Sequence, residues 1–185
     1  MLIPSLLQTV TSMALFTPNK KLSALTIAYV GVMVATMVVG KEALGFIPNI
    51  EVVSLFTIVY TVYFGAAAAL AVAVFIVIEG ILYGIGWWFY GYLLAWPVLF
   101  LVSFLMRKRA NNVTMALVSG FFGLGFGLLC EIPYSLMFGL KAGFAWWIAG
   151  IPWDLVHGVG NFVICIFLYN PLRRSLKAVN KENKE

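Results

Sequence analysis

The run FYGYLLAWPVLFLVSFLM, residues 89–106, followed at once by Arg107, Lys108 and Arg109, decides the fold. No charge interrupts it, and a cluster of cations stops it. An α-helix needs about 20 apolar residues to cross the hydrocarbon core of a bilayer. In that medium the backbone must satisfy its own hydrogen bonds, which a helix does. The run therefore reads as a membrane-spanning helix with a basic anchor at one end.

Working outward, five further runs have the same character. They cover about Leu22 to Leu44, Val52 to Phe64, Ala66 to Leu82, Val113 to Phe138 and Trp146 to Leu168. The second is short and follows Pro48. The turn between the second and third is reduced to Phe64-Gly65. The fold expected is an all-α integral membrane protein, a compact bundle of six transmembrane helices. Residues 1–21 form an N-terminal interfacial or cytoplasmic segment, 22–170 the membrane domain and 171–185 a basic cytoplasmic tail.

Composition supports this class. The chain has 185 residues, of which 63% are hydrophobic and 10% charged. Its mean hydropathy is +1.00. A soluble domain carries about a quarter charged residues, so a cytosolic enzyme and a disordered chain are both excluded. The net charge of +5 does not point to nucleic acid, because the cations do not share a solvated face.

Those cations orient the bundle instead. With six spans, Lys20, Lys21, Arg107, Lys108, Arg109, Arg173, Arg174, Lys177, Lys181 and Lys184 fall on one side. Only Lys41 and Lys141 fall on the other. Both termini are then expected in the cytoplasm, in a multi-pass protein of the plasma membrane. The apolar first nineteen residues lack the basic start of a signal peptide and read as an interfacial helix.

Five acids, Glu42, Glu51, Glu79, Glu131 and Asp154, map to the external ends of their spans. His157 and Asn161 follow Asp154 at i+3 and i+7, on one helical face. An ionisable group inside a span costs at least about 2.5–3.5 kcal/mol. Several at one level imply a polar cavity open to the outside, although helix capping and headgroup contact would serve some of them equally. Trp87, Trp88, Phe89, Tyr90, Tyr92, Trp146, Trp147 and Trp153 crowd the same side. They fit an interfacial belt or the aromatic wall of a small-molecule pocket.

Small residues mark two helices. Gly120, Gly123, Gly125 and Gly127 read as a close-packing surface. Ala24, Ala28, Gly31 and Ala35 repeat a small-x-x-x-small spacing in span one, suited to packing within the bundle or to docking a separate subunit. Cys130 and Cys165 lie in apolar runs and read as packing residues. There is no phosphate-binding loop, no H-E-x-x-H, no Cys/His cluster for a metal and no G-x-S-x-G elbow.

Three stretches together resemble a known family. They are Gly45-Phe46-Ile47-Pro48-Asn49-Ile50-Glu51-Val52-Val53 after the small-residue face, Gly84-x-Gly86-Trp87 with Leu94-Ala95-Trp96, and Gly150-Ile151-Pro152-Trp153-Asp154-Leu155-Val156-His157-Gly158-Val159-Gly160-Asn161 closing with Pro171-Leu172-Arg173-Arg174. Their order resembles the substrate-binding (S) components of energy-coupling factor (ECF) vitamin transporters, over residues 20–176. The resemblance implies a non-enzymatic subunit without a cofactor of its own. It would capture a vitamin or related micronutrient from outside, with cobalamin or another heteroaromatic vitamin among the candidates. Its partners would be a transmembrane coupling (T) subunit, two cytosolic ATPase subunits that use ATP, and membrane lipid. Ala24, Ala28, Gly31 and Ala35 match the family's docking face. Substrate contacts are expected from Asn49, Glu51, Glu79, Trp87, Trp88, Tyr92, Glu131, Trp153, Asp154, His157 and Asn161. Glu131 and the Trp87-Trp88 pair depart from the family pattern and leave the substrate open. Two other readings stand beside this one. One is a membrane enzyme using Glu131, Asp154 and His157 as acid–base groups. The other is a stand-alone proton-coupled carrier, against which no internal repeat is detected.

Overall fold

The computed structural model describes residues 23–182, so the expected interfacial segment at 1–21 and the last tail residues lie outside the described residues. Among the described residues the chain is helical and has no strand. Six α-helices follow one another: α1 (Ala24–Leu44), α2 (Val53–Phe64), α3 (Ala67–Tyr83), α4 (Trp87–Met106), α5 (Asn112–Phe138) and α6 (Leu140–Glu182), with a short 3-10 turn at Arg107–Arg109.

Local chemistry sets the boundaries. Ser23 caps α1, its Oγ accepting the Thr26 N–H at 3.1 Å. Asn111 caps α5, its Oδ1 accepting the Thr114 N–H at 3.0 Å. Each satisfies a backbone donor that the first helical turn leaves free. At the other ends, Gly65 and Gly139 adopt positive φ of 56° and 91°, a conformation open to glycine at little cost. This lets α2 reverse into α3 and α5 into α6 almost without a loop.

Four helices, α1, α4, α5 and α6, are long and apolar enough to cross a membrane. The expectation of six full spans is thus met in helix number and not in length. With 12 residues, α2 is about 18 Å long, and α3 with 17 is about 26 Å, against a hydrocarbon core of about 30 Å. The reason is visible in the packing. Val53, Ser54, Leu55, Thr57, Ile58, Val59, Tyr60 and Thr61 of α2 are all buried. A helix sheathed by other helices need not match the bilayer thickness, because protein and not lipid surrounds it.

The sixth span also differs from its expected range of 146–168. Helix α6 has 43 residues and contains Pro152 and Pro171. It begins directly after Gly139 and continues across residue 171 without a break. The tail was expected from Pro171, but proline is compatible with a long helix that kinks or locally loses a hydrogen bond.

The core is built around Met37, Ile58, Phe75, Leu99, Met115, Cys165 and Tyr169, all essentially inaccessible. Cys130 and Cys165 are buried and unpaired with each other, as packing residues would be. Outside this core the surface stays apolar, with Val32, Phe121 and Phe167 well exposed. Apolar exposure on this scale is rare in soluble monomers. Turns alternate between two ends. One end carries Arg107, Lys108 and Arg109, with Arg173, Arg174 and Lys177 on α6, and is called the basic end. The other carries the turns at 45–52, 84–86 and 139, and is called the aromatic end.

Candidate functional site

Helices α5 and α6 form the frame. Their contact is a glycine seam: a Cβ on Gly123 would lie 2.8 Å from the Gly158 backbone, and one on Gly120 would lie 3.1 Å from Phe162. Only backbone against backbone allows this approach. Further along, Gly127 faces Asp154, and a Cβ there would collide with the carboxylate. The Gly127 N–H donates to Asp154 Oδ1 at 3.0 Å. The seam therefore fixes Asp154 at the aromatic end. Gly125 lies off the seam and meets nothing.

Above the seam a cavity of about 620 Å³ opens among α4, α5, α6 and the 45–52 turn. Trp87, Trp88, Tyr92, Phe126, Trp146 and Trp153 wall it, together with Pro48, Asn49, Cys130, Gly150 and Asp154. The rings brace one another. Trp87 meets Trp146 and Tyr134 edge-on at 5.1 and 5.3 Å, while Tyr134 stacks on Trp146 at 5.2 Å. Trp88 meets Tyr92 edge-on at 5.2 Å, and Tyr92 packs on Phe126 and Trp96. Edge-to-face and offset contacts of this kind hold rings rigidly.

A second, smaller chamber of about 340 Å³ adjoins it, sharing Pro48, Asn49, Tyr92 and Phe126. Its polar lining includes Lys41, Glu42, Glu51, Tyr83 and His157. Asn49, common to both spaces, holds φ of 58°, which asparagine tolerates better than most residues. Glu51 joins three elements. Its Oε2 accepts the Ser54 N–H at 2.8 Å and so caps α2, and its Oε1 lies 3.3 Å from His157 Nε2. Burial pushes its carboxyl up, but the bond and charge of His157 and the two bonds from Ser54 outweigh this and hold it below the ordinary value. His157 also packs edge-on against Phe126, ring centres 5.0 Å apart.

The eleven expected contact residues divide. Asn49, Trp87, Trp88, Tyr92, Trp153 and Asp154 line the aromatic cavity, and Asn49, Glu51, Tyr92 and His157 line the polar chamber. Three lie elsewhere. Glu79 is fully buried in an ion pair, its Oε2 2.6 Å from Lys41 Nζ. Lys41 also lies 3.5 Å from Glu42 and over the Tyr83 ring, while the Tyr83 hydroxyl donates to Glu42 at 2.5 Å. Glu131 accepts a short hydrogen bond from Ser135 within α5. Asn161 is buried behind the chamber, donating to Ser54 Oγ at 3.1 Å.

Phe126 and Lys41 are lining residues that the sequence reading left out of the site, and Trp146 was named for the aromatic wall but not among the expected contacts. Phe122, Phe126 and Cys130 follow one another at i+4, and that spacing on one face was a usable signal inside the glycine run. Ala24, Ala28, Gly31 and Ala35 are all exposed on α1, and a Cβ on Gly31 would meet nothing within 4 Å. Among the described residues, nothing packs on this face.

No family model, curated protein or solved structure matches the chain.

Proposed function

We propose that the chain is the substrate-binding subunit of an ECF-type importer, set in the plasma membrane with both termini in the cytoplasm. The aromatic end faces outside and captures a vitamin. A transmembrane coupling subunit and two cytosolic ATPase subunits supply the driving force. The observation that carries this reading is the braced aromatic cavity that adjoins a polar chamber. Ligand pockets are concave and mostly apolar, with a few placed polar groups, and this site has that make-up.

Three further features support it. The basic end gathers Arg107, Lys108, Arg109, Arg173, Arg174 and Lys177, as cytoplasmic ends do. The small-residue face of α1 is open, so another helix can approach it closely. The cavity volume suits a single flat heteroaromatic vitamin better than a ligand as bulky as cobalamin. The acid–base enzyme reading has less support, because Glu131 bonds Ser135 and lines neither space. Co-expression with an ECF coupling subunit and its ATPase pair tests the proposal. A stable complex that accumulates a radiolabelled vitamin in an ATP-dependent way is expected. Failure to assemble with any such subunits would overturn it.

A further inference from the structure

Three residues that line the two spaces hold a buried polar atom without a hydrogen-bond partner: Trp96, whose Nε1–H is a donor in the polar chamber, and Asp154 and His157 on one face of α6. Asp154 Oδ2 has none, although Oδ1 accepts the Gly127 N–H. His157 is 4% exposed, and its Nδ1 has none. A carboxylate oxygen can only accept. Asp154 Oδ2 therefore lacks a donor, and leaving a buried acceptor unpaired is costly.

The charge balance points the same way. Among the described residues, no lysine or arginine lines the aromatic cavity, and Asp154 is its one carboxylate. In the adjoining chamber Lys41 is shared between Glu79 at 2.6 Å and Glu42 at 3.5 Å, and Glu51 faces His157 at 3.3 Å, which leaves Asp154 as the lining carboxylate outside any ion pair. Tryptophan and tyrosine faces present the negative lobe of their quadrupole and attract cations. Carboxylates and ring faces together repel an anion.

We propose that the ligand is a flat heteroaromatic cation, with its ring between Trp87, Trp88 and Trp153 and its positive edge toward Asp154. This rests on reading the cavity as the ligand site, and it adds the sign of the ligand's charge. An uncharged ring of the same shape gains the stacking alone. An anionic ring of that shape is rejected.

Tryptophan fluorescence titration of the purified full-length chain in detergent tests this with one ring in three charge states. The probes are the N-methylpyridinium form of nicotinamide, nicotinamide and nicotinate. The cation is expected to bind at least about tenfold more tightly than nicotinamide, and nicotinate more weakly than either. In D154N the advantage of the cation over nicotinamide should fall to about threefold or less. Nicotinate binding as tightly as the cation, equal binding of all three, or binding of none would overturn the proposal. So would an unchanged cation preference in D154N. The wild-type comparison needs no substitution and decides the matter even where D154N does not fold. Charge preference without assembly would sink the transport reading and leave this one; assembly without charge preference would do the reverse.

Discussion

Two stripes of small residues look alike in the sequence and meet opposite fates in the structure. The stripe on α5, at Gly120, Gly123 and Gly127, is pressed against Gly158, Phe162 and Asp154 of α6. The stripe on α1, at Ala24, Ala28, Gly31 and Ala35, faces outward and is exposed. The first makes the site, because it brings two backbones close enough for a main-chain N–H to hold Asp154. The second has no packing role among the described residues. Small-residue spacing tells how closely a helix can be approached; it does not tell by what.

The comparison breaks most sharply under a single methyl group. In Gly123→Ala the new carbon meets the backbone of Gly158 and His157 at 2.8 Å, and backbone cannot rotate away. We expect a loss of about 1–3 kcal/mol, read as a fall in Tm of several degrees in detergent. An unchanged Tm would mean that the seam is looser than described.

The next effect lies where α6 meets the cap of α2. Glu51 has a carboxyl held below the ordinary value near 4.5. A lowered folded-state value contributes stability that is complete above the ordinary value and disappears as pH falls through the folded one. Wild type should therefore be more stable than Glu51→Gln at neutral pH, by about 1 kcal/mol. The gap should stay constant down to about pH 5 and close under stronger acid. Thermal unfolding of both proteins across pH checks this, and a gap that widens on acidification would contradict the assignment.

The smallest effect belongs to the open stripe. Gly31→Ala meets nothing within 4 Å and replaces a poor helix former by the best one, so stability should stay level or rise by up to about 1 kcal/mol. The same substitution in the two stripes thus carries opposite signs. Ala28→Leu should likewise leave the isolated chain within about 0.5 kcal/mol of wild type while preventing assembly with a coupling subunit. Normal assembly of Ala28→Leu would remove the docking role from this face.

Much of the architecture was legible in advance because it follows from one-dimensional patterns. Uncharged runs closed by Arg107-Lys108-Arg109 gave the helices and the two ends. What was not legible depends on neighbours distant in sequence. The shortness of α2 makes sense only once its surrounding helices are seen. The tail was expected to begin at Pro171, yet α6 passes through it. Glu79 looked like a cavity acid, but its partner Lys41 sits on another helix, and only the packing of α1 on α3 joins them at 2.6 Å. Asp154 and His157 were found because a three-residue spacing puts both on one helix face. Phe126 was missed because the glycines around it carried the reading.

The central claim is that the aromatic cavity holds a small molecule. Gly150 lines it, and a Cβ there would meet nothing within 4 Å, so Gly150→Phe can fill the space without disturbing the frame. Native mass spectrometry of the detergent-purified protein should find wild type carrying one small molecule per chain, and Gly150→Phe, equally well folded, carrying none. A wild-type protein with no bound molecule, or a filled variant that retains it undiminished, would contradict the account.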